Sequence, residues 1–246
     1  NAGGYVYYVP HYTHFMDSNG NPGGKGEGWS GLTCRVPFNN FTVSGVEILD
    51  LKTLDSRLEG FVGGFTDGTY MYYVPNASGN GMGGGGKEIE ITVECVACRV
   101  LLNNFTKDGL QIRNLTASDA RLKGLEGGCT DGTYAYYSPN DARPSGGPGP
   151  AGTTEGEGGY KYSGSGVTCR IPLNNWQTGS IEVLDLKRVD YRLGAHPSPI
   201  INNGYIYYQA HGAPAGPGWD AKSAPGYIGM HAYKFAEGLV ADWAAG

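Results

Sequence analysis

No apolar run approaches the roughly 18 residues that a membrane-crossing helix needs, so no helical span is expected. The chain is also poor in charge. Asp, Glu, Lys and Arg make up 17% of its 246 residues, and the net charge is −5, which argues against a basic nucleic-acid face. Signatures of catalysis are missing. There is no Gly-x-Ser-x-Gly elbow, no His-Glu-x-x-His pair and no phosphate loop, so neither a catalytic residue nor a cofactor is expected. Cysteine is scarce, and its odd total of five means that at least one thiol is free or intermolecular. Long helical periodicity is lacking outside the last dozen residues, and the start at Asn1 is silent on a leader segment. Gly and Pro, by contrast, total 57 residues, about twice their average usage. Aromatic residues reach 12%, with 18 Tyr, so disorder is not the expectation.

Internal repetition organises the chain. Phe65-Thr66-Asp67-Gly68-Thr69-Tyr70-Met71-Tyr72-Tyr73-Val74-Pro75-Asn76 returns as Cys129-Thr130-Asp131-Gly132-Thr133-Tyr134-Ala135-Tyr136-Tyr137-Ser138-Pro139-Asn140. Weaker copies start at Tyr5 and Asn202. A second phrase, Thr33-Cys34-Arg35-Val36-Pro37-Phe38-Asn39-Asn40-Phe41, matches the stretches from Ala97 to Phe105 and from Thr168 to Trp176. A third, Val46-Glu47-Ile48-Leu49-Asp50-Leu51, leads each time into Asp-x-Arg-Leu, at Asp55/Arg57, Asp119/Arg121 and Asp190/Arg192. The repeated Cys34, Cys98 and Cys169 set periods of 64 and 71 residues. Such a period suits a four-stranded blade of roughly 40–50 residues enlarged by a long loop.

The expected fold is all-β. Each repeat holds antiparallel strands A to D, with hairpins at Asp67-Gly68, Asp131-Gly132 and Asn203-Gly204, where Gly accepts positive φ and a type I′ turn fits. In strand B, Tyr70, Tyr72 and Val74 fall on one face and Met71 and Tyr73 on the other. Gly/Pro-rich loops separate B from C at residues 11–28, 79–86 and 144–159. One repeat domain spans 1–246, with repeats at about 1–59, 60–123, 124–193 and 194–237, the last one short. Residues 238–246 resemble the strand A that the first repeat lacks. Leu239, Val240 and Trp243 are therefore expected to close a ring or to insert into a neighbouring molecule.

The phrases GGFTDGTYMYYVPN, VEILDL and DSRLEGF resemble a repeat of secreted and surface proteins of algae and oomycetes. They are more loosely similar to bacterial surface propellers with a Pro-Asp-Gly turn before a Tyr-Val strand. The resemblance implies a β-propeller-like array, an extracellular setting and no defined chemistry.

Four Asn-x-Ser/Thr sequons start at Asn40, Asn76, Asn104 and Asn114. Asn40 and Asn104, just after strand C, are the foremost expected glycosylation sites; an Asx turn at the Asn-Asn pair is compatible with this, Asn39 capping the turn while Asn40 carries the sugar. Cys34, Cys98 and Cys169 read as small interblade packing residues, and Cys129 is expected to pair with Cys95 or Cys98. Cys95-x-x-Cys98 puts its two thiols on opposite strand faces, a poor zinc half-site. His11 and His211 occupy equivalent positions, with His14 and Asp17 near the first, yet no metal site is expected from them. Asp17-Ser18-Asn19-Gly20-Asn21 resembles a calcium loop, but Pro22 stands where Gly is required.

The expected function is a structural extracellular protein that self-associates into a glycosylated filament or surface layer, its partner being itself. A lectin-like propeller is the alternative, with Trp29, Trp176 and Trp219 as sugar-stacking candidates. An enzyme with an unrecognised site comes third.

Overall fold

A computed structural model describes residues 3–13, 28–75, 94–122, 125–139, 166–189, 193, 198–209 and 230–234. They form an all-β array. Strands β1 (Tyr5–Tyr8), β2 (Tyr12–Thr13), β3 (Gly28–Trp29), β4 (Leu32–Pro37) and β5 (Glu47–Asp50) come first. Next come β6 (Phe61–Thr66), β7 (Tyr70–Pro75), β8 (Val96–Leu101) and β9 (Leu110–Asn114), then β10 (Leu125–Thr130), β11 (Tyr134–Pro139), β12 (Val167–Pro172) and β13 (Glu182–Asp185). The last are β14 (Ser198–Asn202), β15 (Tyr205–Gln209) and β16 (Met230–Lys234). Sheet I has the order β1-β4-β5, sheet II β6-β7-β8-β9, sheet III β10-β11-β12-β13 and sheet IV β14-β15-β16. β2 and β3 make a separate two-stranded ribbon, and every pairing is antiparallel.

Sheets II and III thus carry the expected four strands A to D. Sheet I has no strand A and sheet IV no strand D among the described residues. The residues expected to supply the missing strand, Leu239, Val240 and Trp243, lie outside the described set. Among the described residues no helix is long and apolar enough to cross a membrane.

Alternation gives each sheet two unlike faces. One carries a row of Tyr, Cys and an aliphatic residue: Tyr8–Cys34–Ile48, Tyr73–Cys98–Ile112 and Tyr137–Cys169–Val183. The other carries Tyr, Arg and an acidic or amide residue: Tyr7–Arg35–Glu47, Tyr72–Arg99–Gln111 and Tyr136–Arg170–Glu182. The sheets stack in chain order: the arginine face of one lies against the cysteine face of the next at I/II and II/III, and against the Ile206 and Tyr208 face of sheet IV at III/IV.

Three apolar cores result. Tyr7 and Leu49 of sheet I meet Met71, Tyr73, Cys98 and Phe105 of sheet II. Tyr72, Val74 and Ala97 of sheet II meet Tyr137, Cys169 and Trp176 of sheet III. Tyr136 and Leu186 meet Ile206 and Tyr208 of sheet IV. Met71 and Tyr73 therefore face one neighbour and Tyr72 and Val74 the other, as their alternation predicts. Full burial of each such side chain contributes about 1.5–3 kcal/mol.

The A strands approach most closely where glycine removes the side chain. A Cβ on Gly63 would lie 2.9 Å from the Glu126 carbonyl oxygen, and one on Gly128 would lie 2.3 Å from the Phe65 ring. Both strands are bulged just before these glycines, at Phe61/Gly63 and Leu125/Gly127.

The hairpin turns differ from the expected type I′ at two of three places. At Asp67-Gly68 and Asp131-Gly132 only the Gly has positive φ, +87° and +85°, the pattern of a II′ turn that opens on Gly. The Asp sits one position earlier, where its carboxylate caps the turn. Asp67 Oδ1 accepts the N–H groups of Thr69 and Tyr70, and Asp131 does the same for Thr133 and Tyr134. At Asn203-Gly204 both residues have positive φ, as type I′ requires.

Candidate functional site

The repeated polar residues converge at the junctions between sheets. At the I/II junction, Arg35 donates through Nε and Nη2 to Glu47 Oε2 at 3.0 and 2.8 Å. Its Nη1 crosses to the Leu102 carbonyl at 2.5 Å. The guanidinium lies 4.2 Å from the Tyr5 ring centre and 4.8 Å from that of Phe105, so it is stacked between sheets.

At the II/III junction Arg99 repeats this arrangement. Nε donates to Gln111 Oε1 at 2.7 Å, and Nη1 donates to the Tyr72 hydroxyl at 2.9 Å and to the Leu173 carbonyl at 3.3 Å. Tyr70 and Trp176 flank the guanidinium at 3.9 and 5.0 Å. At III/IV, Arg170 donates to Glu182 Oε2 at 3.0 and 2.6 Å and lies 4.3 Å from the Tyr134 ring centre.

The Asp-Gly turns feed into these stacks. Tyr72 donates its hydroxyl proton to Asp67 Oδ2 at 2.7 Å while accepting from Arg99, and Tyr136 donates to Asp131 Oδ2 at the same distance. Burial first, and then the bond to Asp67 or Asp131, raises both phenols above their ordinary range, so they remain neutral donors.

A groove of about 500 Å³ opens at the II/III junction, lined by Asp67, Tyr70, Arg99, Thr133, Tyr134 and Asn174 among others. Its charged groups already hold partners within the protein. The arrangement joins sheets and offers no nucleophile beside a base.

The repeated Asp-x-Arg-Leu corner is structural in both described copies. Asp55 accepts from Arg57 Nε and Nη2, and Asp119 accepts likewise from Arg121, while Leu58 and Leu122 are fully buried. The side-chain bond from arginine, chiefly, holds each carboxyl below its usual value. Asp190 and Arg192 lie outside the described residues.

Asn40 is exposed, and Asn104 and Asn114 are half-buried. Each accepts its own sequon hydroxyl on Oδ1: Thr42 at 2.7 Å, Thr106 at 2.7 Å and Thr116 at 2.8 Å. Asn175, which heads no sequon, accepts Thr178 in the same way. The turn role therefore belongs to Asn40 and Asn104 themselves as well as to the pair. Asn76 lies outside the described residues.

All five cysteines are free thiols, so the expected pairing of Cys129 with Cys95 or Cys98 is not formed. The reason is geometric. Cys129 packs at the III/IV core, Cys95 at II/III and Cys98 at I/II. Burial pushes the Cys95 and Cys129 thiols up to about 12 and Cys98 well above its ordinary value, which leaves them protonated and unreactive.

Trp176 is fully buried beside Tyr72 and Arg99, so it leaves the sugar-stacking set. The Trp29 side chain and Trp219 lie outside what is described. His11 Nδ1 bonds the Phe61 carbonyl at 3.1 Å, and His14, Asp17 and His211 lie outside the described residues. No group of three or more His, Cys, Asp or Glu that could hold a metal occurs among the described residues.

Sequence reasoning missed the stacked arginine. Its signal was present as the invariant Cys-Arg step and the Glu or Gln twelve residues later, at Glu47, Gln111 and Glu182. No family model, no curated protein and no solved structure matches the chain.

Proposed function

We propose that this chain is a structural protein of the extracellular surface that self-associates, built as a propeller-like array of wedge-shaped sheets. The observation that carries the reading is the use of the repeated polar residues. Arg35 and Arg99 donate across the junctions between sheets, Arg170 pairs with Glu182 within sheet III, and Asp67 and Asp131 cap turns. A propeller is supported by the A-to-D order of sheets II and III and by the contact of β10 with both β6 and β14. Among the described residues β1 is an edge strand, which supports donation of residues 238–246 as a missing strand, in cis or in trans.

Electron microscopy of the purified chain tests the reading. Filaments or layers are expected; dispersed single particles at every concentration overturn it. Glycans on some of Asn40, Asn76, Asn104 and Asn114 would raise the mass of natively sourced protein above 26.1 kDa.

The groove at Tyr70, Arg99 and Tyr134 favours a second reading, sugar binding between sheets. A glycan array separates the two: specific binding that Tyr70→Ala abolishes would establish the lectin.

A further inference from the structure

Self-association as proposed above needs a surface, and the repeat identifies one. In sheets II and III the face bearing Tyr, Cys and an aliphatic residue lies against the arginine face of the preceding sheet. In sheet I the same row, Tyr8–Cys34–Ile48, points away from sheet II, and none of the described sheets covers it. Equivalent positions differ sharply as a result. Tyr8 is 45% exposed where Tyr73 and Tyr137 are fully buried. Phe41 is 64% exposed where Phe105 and Trp176 are 6% and 0%. Ile48, at 68%, widens the patch where its equivalents Ile112 and Val183 are half-buried, and no charge interrupts the row. An exposed apolar row of this kind marks an interaction surface rather than chance exposure.

The opposite end of the array carries the matching member. Tyr205 and Tyr207 in sheet IV repeat the ladder of Tyr134 and Tyr136, with ring centres 6.1 Å apart against 6.2 Å. Their neighbours Ile206 and Tyr208 point into the III/IV core, which turns the ladder away from sheet III. The register of β16 places Ala232 opposite Tyr207, where Arg170 stands opposite Tyr136.

We propose that the uncovered face of sheet I docks on the Tyr205–Tyr207 face of sheet IV in a second copy, extending the stack head to tail. The joint continues an interface that the chain already makes at I/II, II/III and III/IV. It is heterologous, so it propagates instead of closing on itself as a two-fold pair. With Ala232 at the arginine position, Phe41 finds no guanidinium to stack on. The joint between copies is therefore weaker than the internal ones and reverses on dilution.

Sedimentation velocity across a dilution series of the full chain tests this. The wild type is expected to assemble, and Phe41→Asp with Ile48→Asp to remain monomeric with an unchanged melting temperature. Phe41→Asp alone gives the same test should the double variant fail to fold. Added to wild type, the double variant is expected to shorten the assemblies, because it still offers its sheet IV face. Ala232→Arg is expected to tighten association about tenfold. Cys34 is expected to react with a maleimide in the monomer and to be protected in the assembly, while Cys98 and Cys169 stay protected in both.

A wild type that is monomeric at every concentration overturns self-association and this inference together. Assembly of the double variant as readily as wild type overturns the docking face and leaves self-association standing. A monomeric double variant that does not shorten wild-type assemblies, or an Ala232→Arg chain that binds no tighter, overturns the role of sheet IV.

Discussion

The I/II and II/III junctions are built on one plan, yet they satisfy their polar groups differently. At I/II, Thr33 Oγ1 donates to the Tyr8 carbonyl and shares a hydrogen bond with the Tyr73 hydroxyl, both at 2.8 Å. At III/IV, Thr168 repeats this with the Tyr137 carbonyl and the Tyr208 hydroxyl. At II/III the position is Ala97. The Tyr137 hydroxyl there is buried beside the Trp176 indole, and neither makes a hydrogen bond of normal geometry. Trp176 in place of Phe, and Arg113 donating to the Trp176 and Gly179 carbonyls in place of an aliphatic residue, add other contacts. The repeat thus tolerates loss of one polar contact where a larger aromatic and an extra cation fill the junction.

The largest test of this contrast is truncation of the shared aromatic. Trp176→Ala is expected to cost about 4 kcal/mol, since a fully buried side chain leaves a cavity at II/III. Phe41→Ala, at the same repeat position, is expected to fall within about 0.5 kcal/mol of wild type in the monomer. Denaturant unfolding measures both. A comparable loss at the two positions would mean that sheet I is covered in solution.

A smaller effect is expected from glycine. Gly128→Ala sets a Cβ against the Phe65 ring at II/III and should cost about 2 kcal/mol. Gly64→Ala at I/II meets the flexible end of Met71 and should cost less, although the Tyr72 carbonyl is also near. Equal melting temperatures for the two variants would show that ring and thioether yield alike.

Smaller again, and of opposite sign, is Ala97→Thr. It supplies the hydroxyl that Thr33 and Thr168 supply elsewhere and gives the Tyr137 hydroxyl a partner. About 1 kcal/mol of stabilisation is expected, a rise of roughly 2–4 °C in Tm for a chain of this length. A fall in Tm would show that the II/III junction has no room for the added atoms.

These contrasts bear on what could be read before the structure. Strand order, hairpin positions and the two-faced Tyr pattern were legible, because glycine punctuation and period-two alternation are local signals. The turn type at Asp67 was not, because the choice between capping a turn and entering it depends on where the carboxylate finds donors. Burial of Trp176 was hidden too, since the same phrase yields an exposed Phe41 and a Trp176 buried against Tyr72 of sheet II, and which of the two occurs is set by distant packing. The stacked arginines were visible as letters only; their meaning lies in the Leu102 and Leu173 carbonyls, far along the chain and across a junction.

The smallest expected effect concerns acid, and it should be alike at both junctions. Asp55 and Asp119 each pair with an arginine two residues on, and each carboxyl titrates below its ordinary value of 3.8 in the folded chain. The folded state therefore binds fewer protons than the unfolded one as the pH falls through this region. The stability from each pair is complete above about 3.8 and is lost as the pH drops through the lower, folded value. Both arginines are partly exposed, at 44% of the side chain, so solvent screens the pairs and the loss is modest. Thermal melts of wild type, Asp55→Asn and Asp119→Asn should differ by a constant offset above pH 5 and converge in acid. Each variant should remove a similar share of the acid dependence. If Asp119→Asn removed all of it, the II/III corner alone would carry the acid response, and the two corners would not be equivalent despite their matching geometry.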